Sequence, residues 1–361
     1  MSQHTLVFTG GGTAGHVTPN LALIHELASK YAIHYVGSNS GVERQLVEAE
    51  GILYHAVQSG KLRRHFSLKT ALTPFKLLLG VLQSYWLLRK LKPKLVFSKG
   101  GFVALPVVIG AWLNRIPVIA HESDLTPGLA NKLSFPFVTT VCVTFDAGKK
   151  YFKDLSKVRV TGTPIRPELL QGNRDAGLAR CGFNADKKPC VLVIGGSQGA
   201  QVLNTSIREQ LDDMCARFNI IHLCGAGKLD ANLSGREGYF QLEYATQELP
   251  DLFAASDIIL SRSGANALYE ILALEKPHVL VPLSRRYSRG DQIDNARYFE
   301  KKGVSVILDE EHMTSNDVRD ALDDVYARRD LITAEIKTLG IVSATDALVD
   351  LIQTTVNSNA Q

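Results

Sequence analysis

The chain has 361 residues, of which 45% are hydrophobic and 21% charged, a composition typical of a globular protein with room for two domains. The N-terminus leads directly into a predicted strand, and the longest strongly apolar run, residues 102–113, is shorter than the ~20 residues that cross a bilayer, so we expect neither a secretory signal nor a membrane span. Five cysteines without a CxxC pair predict reduced core thiols in the cytosol rather than disulfides or a metal site.

The first half of the chain alternates short apolar strands with amphipathic helices, which is the pattern of a parallel sheet covered on both sides. Strands are predicted at Thr5–Phe8, Ile33–Val36, Leu53–Val57, Leu95–Ser98, Val118–His121, Val138–Val143 and Arg159–Thr161. The first strand leads into a glycine-rich turn, residues 9–16, and then into a helix that begins near Val17. Such a turn presents backbone N–H groups and the positive end of a helix dipole, which suits a phosphate.

A segment without any acidic residue lies between Glu50 and Glu122, and it carries eleven Lys and Arg residues although the net charge of the whole chain is only +4. Within it, residues 68–91 are rich in Leu, Phe and Trp and have basic residues at both ends. Apolar residues at helical spacing usually belong to a core. The alternative is a face that contacts an anionic membrane surface.

Residues 161–167 interrupt the alternation with two prolines and a glycine, and they predict the domain boundary. The expected domains are residues 1–163 and 164–340, followed by residues 341–361, whose helix at about Ala344–Val356 packs back on the first domain. Strands of the second half are predicted at Val191–Ile194, Ile220–Leu223, Ile258–Ser261, Val279–Val281 and Val304–Leu308.

The second half begins with the same construction as the first. Its first strand leads into residues 195–199, Gly-Gly-Ser-Gln-Gly, which repeat the Gly-Gly-[Ser/Thr]-x-Gly pattern of residues 11–15. One such turn is weak evidence for a ligand, because any tight connection between a strand and a helix can use glycine. Two turns with one pattern predict two similar halves, each with its own glycine loop.

A further polar turn, residues 262–266, follows the predicted strand Ile258–Ser261 and opens a helix that carries Glu270. We expect a diphosphate at this helix N-terminus and ribose hydroxyls on the Glu270 carboxylate. The alternative is that Glu270 is an ordinary exposed helix residue. Gln292 opens the next helix beside Asp291; Asp291 is a candidate N-cap, whereas Gln292 has no such role.

Residues 10–15 also match the dinucleotide fingerprint G-x-G-x-x-G, which makes a nicotinamide or flavin enzyme an alternative. That class needs an acidic residue at the end of the second strand, where this chain has residues 35–39, Tyr-Val-Gly-Ser-Asn. The missing acid and the second glycine loop argue against it. A nucleic-acid-binding protein needs no pair of glycine loops, and few aromatic residues lie among the basic ones, so we predict no nucleic-acid partner.

Seven motifs together resemble the MurG family of peptidoglycan N-acetylglucosaminyltransferases. They cover nearly the whole chain in the family order and read GGGTAGHV at 10–17, KGGF at 99–102, HESDLTPGLANK at 121–132, TPIR at 163–166, GGSQGA at 195–200, SRSGANALYE at 261–270 and GDQIDNA at 290–296. The resemblance implies an α/β GT-B fold, in which two doubly wound Rossmann-like domains face each other across a cleft. It implies transfer of GlcNAc from UDP-GlcNAc to the C4 hydroxyl of the muramyl sugar of lipid I, with inversion, to give lipid II and UDP. Another sugar-nucleotide transferase of this fold, such as a diacylglycerol glycosyltransferase, is the alternative.

The resemblance also implies the site residues. Those expected to bind UDP-GlcNAc are Thr13, Ala14, Gly15, Arg166, Ser197, Thr246, Ala265, Asn266, Ala267, Leu268, Tyr269, Glu270 and Gln292, and those expected at the acceptor diphosphate are Gly12, Gly15, Gly100 and Gly101. Two positions depart from the family pattern: Ala14 replaces a commoner glycine, and Asp124 stands where many members have Asn.

The acceptor hydroxyl must lose a proton, and three side chains are candidate bases. His16 has the side chain that titrates near neutral pH, while its alternative role is to orient the loop or bind phosphate; Glu122 and Asp124 are the other candidates. No cluster of Asp or His residues has metal-ligand spacing, so we assign no metal ligands and no cofactor. The lipid acceptor favours the membrane interpretation of residues 68–91, and we expect a peripheral protein on the cytoplasmic side of the cell membrane.

Overall fold

The computed structural model describes residues 3–60, 73–184, 188–196 and 198–358. They form two compact units. The first comprises the described residues of Met1–Ile165 and Ser343–Gln361, and the second comprises those of Arg166–Val342.

The first unit contains a parallel sheet. Its strands are β1 (Thr5–Thr9), β2 (Ala32–Gly37), β3 (Leu53–Ala56), β4 (Leu95–Ser98), β5 (Val118–Glu122), β6 (Thr140–Val143) and β7 (Val158–Val160). They pair in the order β3-β2-β1-β4-β5-β6-β7. Every strand predicted for this half is present, with ends that differ from the prediction by at most two residues.

Both faces of this sheet are covered, as the alternation along β1 shows. Leu6 and Phe8 belong to one apolar core, and Val7 between them belongs to the core on the other face. The α-helices described between the strands are α1 (Thr18–Leu27), α2 (Val42–Ala49), α3 (Thr73–Leu91), α4 (Ala104–Leu113) and α5 (Leu129–Ser134). Short 3-10 helices occupy Ala14–His16, Phe135–Phe137, Asp146–Tyr151 and Leu155–Lys157.

The C-terminal helix, Thr345–Ser358, belongs to the first unit. Its residues Leu348, Ile352 and Val356, spaced four apart and therefore on one face, share a core with Leu23 and Leu27 of α1.

The second unit repeats this architecture. Its strands are β8 (Cys190–Ile194), β9 (Asn219–Leu223), β10 (Tyr239–Leu242), β11 (Ile258–Ser261), β12 (His278–Leu280) and β13 (Val306–Ile307), paired in parallel in the order β10-β9-β8-β11-β12-β13. Its α-helices are α6 (Arg174–Cys181), α7 (Gln201–Glu209), α8 (Leu211–Arg217), α9 (Leu249–Ala255), α10 (Ala265–Ala273), α11 (Asp291–Glu300), α12 (Ser315–Ala327) and α13 (Arg329–Thr338), and 3-10 helices lie at Pro167–Gln171 and Ala231–Leu233. The sequence did not predict β10.

Counted from the first strand of each unit, the two sheets share the strand order 3-2-1-4-5-6, which is that of a doubly wound Rossmann fold. This confirms the predicted α/β class with two Rossmann-like domains. In such sheets, ligands bind at the carboxyl ends of the two central strands, where the winding direction reverses. The glycine loops follow β1 and β8, so each one lies at this switch point.

Candidate functional site

In the first unit, the loops after β1 and β4 touch each other backbone to backbone. The N–H of Gly11 donates to the carbonyl of Gly100 over 3.3 Å. Gly101 has φ +85°, and a Cβ there would lie 2.3 Å from the carbonyl oxygen of Gly11, so only glycine allows this approach. Two of the glycines expected at the acceptor diphosphate therefore have a role in packing.

Glu43 of α2 contacts the glycine loop through its carboxylate, and the residue is fully buried. Its Oε2 accepts the N–H of Gly12 over 3.1 Å, and its Oε1 accepts the N–H of Ser38 over 3.2 Å and also the Ser38 hydroxyl. Gly12 was expected to bind the acceptor diphosphate. In the structure its amide donates to this internal carboxylate, which fixes the backbone of the loop at Gly12.

His16 ends the 3-10 turn Ala14–His16, and its N–H donates to the carbonyl of Thr13 over 3.1 Å. This turn brings the Thr13 hydroxyl within 3.0 Å of His16 Nδ1. Thr13 and Gly15 are exposed and His16 is half-buried. The predicted loop residues therefore form one accessible turn in which a hydroxyl holds an imidazole.

Glu122 ends β5, and its carboxylate is buried with 5% exposure. Its Oε1 accepts the N–H of Asp124 over 3.0 Å, while its Oε2 accepts the N–H of Gly128 over 3.0 Å and the Asn131 amide over 2.8 Å. A carboxylate with these three donors shapes the loop between β5 and α5. Asn131 also contacts Gly100, since a Cβ on this glycine would lie 2.2 Å from Asn131 Oδ1.

The KGGF and HESD motifs meet at a lysine that sequence reasoning did not select. Lys99 is 1% exposed, and its Nζ lies 2.7 Å from His121 Nδ1, 2.7 Å from Ser123 Oγ and 3.4 Å from Thr163 Oγ1. Burial lowers the pKa of Lys99 to about 7, and the nearby carboxylates of Glu122 and Asp124 raise it. The only feature of the sequence that could have pointed to Lys99 is its charge beside the uncharged residues of the KGGF motif.

The glycine loop of the second unit is also shaped by the fold. Gly196 has φ +87°, and its carbonyl accepts the N–H of Gly199 over 2.9 Å. Gly199 has φ +65°, and a Cβ there would lie 1.9 Å from the carbonyl oxygen of Cys224. Ser197, predicted to contact the donor, lies outside the described residues.

Arg166 and Glu270, which were predicted separately, form a bidentate ion pair. Arg166 Nε donates to Glu270 Oε1 over 3.0 Å, and its Nη2 donates to Oε2 over 3.1 Å. The Arg166 side chain is 35% exposed and that of Glu270 14%. Each carboxylate oxygen has a second lone pair and the guanidinium has further N–H groups, so this pair presents both acceptors and donors to a ligand.

Glu270 lies on α10, whose N-cap Gly264 follows β11 at the switch point. The first intrahelical bond runs from the N–H of Leu268 to the carbonyl of Gly264 over 3.0 Å. The amides of residues 265–267 therefore precede the helical hydrogen-bond ladder at the positive end of the helix dipole. Leu268 and Tyr269 were predicted to bind the donor, but their side chains are buried, at 0% and 7% exposure, and belong to the core.

The remaining predicted donor residues are anchored to nearby backbone. Gln292 Oε1 accepts the N–H of Leu283 over 3.0 Å, so this side chain holds the loop that precedes α11. The N–H of Thr246 donates to the carboxylate of Glu248 over 3.1 Å, and its carbonyl accepts the N–H of Leu249 over 3.3 Å.

Helix α3 presents its apolar residues outward. They are Phe75, Leu78, Leu79, Leu82 and Trp86, with exposures of 72%, 58%, 48%, 49% and 64%. Their spacing of three, four and seven residues puts them on one face, while Gly80 and Ser84 are buried on the opposite side. An ordinary surface helix buries its large apolar residues, whereas α3 exposes five of them. Residues 68–72, the rest of the predicted membrane segment, lie outside the described residues.

Two negative findings apply to the described ranges. Within them no three His, Cys, Asp or Glu side chains are grouped as a metal would need. None of their helices combines the length and apolarity that crossing a membrane takes.

Two family models match the chain: the glycosyltransferase family 28 N-terminal domain over residues 6–143 and the family 28 C-terminal domain over residues 190–351. A Legionella pneumophila (strain Lens) protein named UDP-N-acetylglucosamine–N-acetylmuramyl-(pentapeptide) pyrophosphoryl-undecaprenol N-acetylglucosamine transferase is 59% identical over 350 residues, which are 97% of this chain and 96% of that protein. A Clostridium tetani (strain Massachusetts / E88) protein of the same name is 50% identical over 349 residues, covering 96% of this chain and 97% of that protein.

Two solved structures match over nearly the whole chain. The crystal structure of Acinetobacter baumannii MurG matches with a TM-score of 0.75 and 25% identity, over 98% of this chain and 100% of that one. The calicheamicin glycosyltransferase CalG4 matches with a TM-score of 0.69 and 16% identity over 100% of both chains, which shows a shared fold.

Proposed function

The chain belongs to glycosyltransferase family 28, and on that premise we propose that it transfers N-acetylglucosamine from UDP-N-acetylglucosamine to the muramyl-pentapeptide of lipid I. The observation that carries this function is the 59% identity to a relative named for that reaction, over 97% of the chain. The acceptor's C4 hydroxyl attacks the anomeric carbon of the donor, the bond to UDP breaks, and the configuration inverts. The product is lipid II, an intermediate of peptidoglycan synthesis.

The second unit binds the donor. The Arg166–Glu270 pair supports this assignment, because Glu270 can accept ribose hydroxyls while Arg166 and the amides of residues 265–267 donate to the diphosphate. These donors also stabilise the negative charge that develops on UDP as it leaves. Among the other predicted donor contacts, Gln292 keeps its amide N–H₂ for the sugar while its oxygen holds the loop.

The first unit binds the acceptor, and His16 is the base. The geometry supports His16 over Glu122, because the Glu122 carboxylate already accepts three N–H groups within the protein. For His16 Nε2 to take the hydroxyl proton, Nδ1 must carry its own hydrogen, and the Thr13 hydroxyl at 3.0 Å is positioned to accept it. Asp124, on the loop that Glu122 shapes, is the base to test if His16 is not.

The outward apolar face of α3 is the membrane contact. Lys76 lies at one end of this helix and Arg89 and Lys90 at the other, all three exposed, and the segment lacks acidic residues. An apolar face flanked by cations binds the interface of an anionic leaflet. The protein is thus a peripheral one on the cytoplasmic face of the membrane, where lipid I presents its sugar.

One assay tests this function. Purified protein is incubated with radiolabelled UDP-GlcNAc and either lipid I or diacylglycerol, and the products are separated. Label in a lipid II product supports the proposal. Label in a glycosylated diacylglycerol, with none in lipid II, identifies a different transferase of the same fold.

A further inference from the structure

Lys99 is the buried centre of a network that joins three separate segments of the first unit. Its backbone N–H donates to the carbonyl of Thr9 over 2.9 Å, and its Cβ packs against Gly10, where an added Cβ would lie 3.1 Å away. The backbone of Lys99 therefore lies beside Thr9 and Gly10, the first residues of the glycine loop. Its Nζ then reaches His121 within β5, Ser123 just after that strand, and Thr163 after β7.

The protonation state of His121 follows from its partners. Its Nε2 lies 2.8 Å from the carbonyl oxygen of Gly162, which can only accept, so Nε2 carries the hydrogen. Nδ1 is then the acceptor for Lys99 Nζ. Burial and the charge of Lys99 both hold the pKa of His121 well below its ordinary value, which agrees with a neutral imidazole. Three acceptors around one Nζ match the three N–H groups of an ammonium.

The network leads directly to the candidate site. Ser123 stands between Glu122 and Asp124, and the N–H of Asp124 donates to the Glu122 carboxylate. Lys99 is thus hydrogen-bonded to His121 and Ser123, the neighbours of Glu122 in the chain. The carboxylates of Glu122 and Asp124 also attract its charge. In its ammonium form Lys99 compensates these two acidic groups, which are the candidate bases Glu122 and Asp124.

We propose that Lys99 is a positioning residue for the transfer reaction, which holds residues 121–124 against the glycine loop so that Asp124 and His16 meet the acceptor in a fixed geometry. This role rests on the proposed function. Lys99 touches no substrate, because its side chain is buried, and it acts through the residues that it holds. Displacements of about 1 Å at a reacting centre reduce turnover by about 100-fold, so the loss of this anchor is expected to appear in kcat.

The test is Lys99→Met, which keeps an unbranched side chain one atom shorter and removes the donors. With lipid I and saturating UDP-GlcNAc, kcat should fall by about 10- to 100-fold. The donor Kd, measured by calorimetry, should stay within about twofold, because most of the predicted donor contacts belong to the other unit. Lys153→Met, which removes an exposed lysine and the same charge, is the matched control and should behave like the wild type.

Ser123→Ala and Thr163→Val keep the test decisive if Lys99→Met does not fold. Each removes one partner of Lys99 and leaves the lysine in place, and their combination should lower kcat with the donor Kd unchanged. A folded Lys99→Met protein with kcat within about threefold of wild type overturns the proposal, as does a parallel loss of donor affinity, which would indicate general structural damage. A wild-type protein without transferase activity refutes the proposed function instead, so the two failures are distinguishable.

Discussion

Removing the carboxylate of Glu270 tests the proposed donor site at the ion pair that this residue forms with Arg166. In Glu270→Ala, the ribose hydroxyls lose the acceptor that we propose for them, and Arg166 loses the partner that fixes its guanidinium at 3.0 and 3.1 Å. Both losses act on the donor, one on the nucleoside and the other on the diphosphate. We therefore expect a fall in donor affinity that is larger than the fall in stability.

The magnitudes follow from the exposure of the pair. Arg166 is 35% exposed, so solvent screens the ion pair, and its loss should cost the fold about 1 kcal/mol or less. A hydrogen bond to a charged group contributes about 1.5–3 kcal/mol where the ligand excludes water. Losing one such bond raises the donor Kd by about 10- to 100-fold.

Calorimetry with UDP-GlcNAc measures the affinity, and denaturant unfolding measures the stability. Asp257→Asn is the matched control, because Asp257 pairs with Arg174 at 3.1 Å and also accepts the N–H of Cys190, yet lies on no predicted donor contact. Its stability should fall by a similar amount with the donor Kd unchanged. A folded Glu270→Ala protein that binds the donor within about twofold of wild type would refute the assignment, since even one charged hydrogen bond exceeds that change.

Three further changes test the other parts. His16→Ala should lower kcat by about 10²–10⁴-fold, far more than it alters donor affinity, and turnover within a few-fold of wild type would exclude His16 as the base. Replacing Lys76, Arg89 and Lys90 by Gln should remove up to ~3 kcal/mol of attraction to anionic vesicles before screening, seen as weaker, less salt-dependent co-sedimentation; undiminished binding would contradict a contact through these charges. Because the pKa of Lys99 is lowered to about 7, the unfolded chain binds more protons above that pH, so the free energy of unfolding should rise from pH 7 to about 10. Lys99→Met should lack this rise, and equal slopes in both proteins would refute it.

Strand and helix positions were predictable because each unit repeats short buried strands between amphipathic helices. The strands at the sheet centre are apolar on both faces, so β1, β4 and β8 read as uninterrupted apolar runs. β10 lies at the edge of its sheet, and three of its four residues, 240–242, are only half-buried. Its sequence therefore lacks the apolar run that marked the others.

The sequence motifs identified candidate site residues, but they did not show which of these residues contact each other. Arg166 and Glu270 were each selected, yet 104 residues separate them, and no local pattern indicates that they pair. Glu43 and Lys99 escaped selection because an acidic residue in the first turn of a helix and a lysine after a strand are ordinary surface features. Only the fold buries these two charges beneath the glycine loop.

Helix α3 exposes large apolar side chains and buries small residues, Gly80 and Ser84. The close packing of these small residues explains why. A Cβ on Gly80 would lie 2.0 Å from the carbonyl oxygen of Gln58, and a Cβ on Gly110 of α4 would lie 2.9 Å from Ser84 Cβ. Glycine and serine let this part of α3 approach its neighbours closely, and only toward the C-terminal end does a large side chain, Leu88, fill the inner face. Phe75, Leu78, Leu79, Leu82 and Trp86 lie on the outer face, where contact with water is unfavourable. An apolar helix whose small residues form one face predicts that its large residues meet another apolar phase, which is the physical basis for placing the membrane at α3.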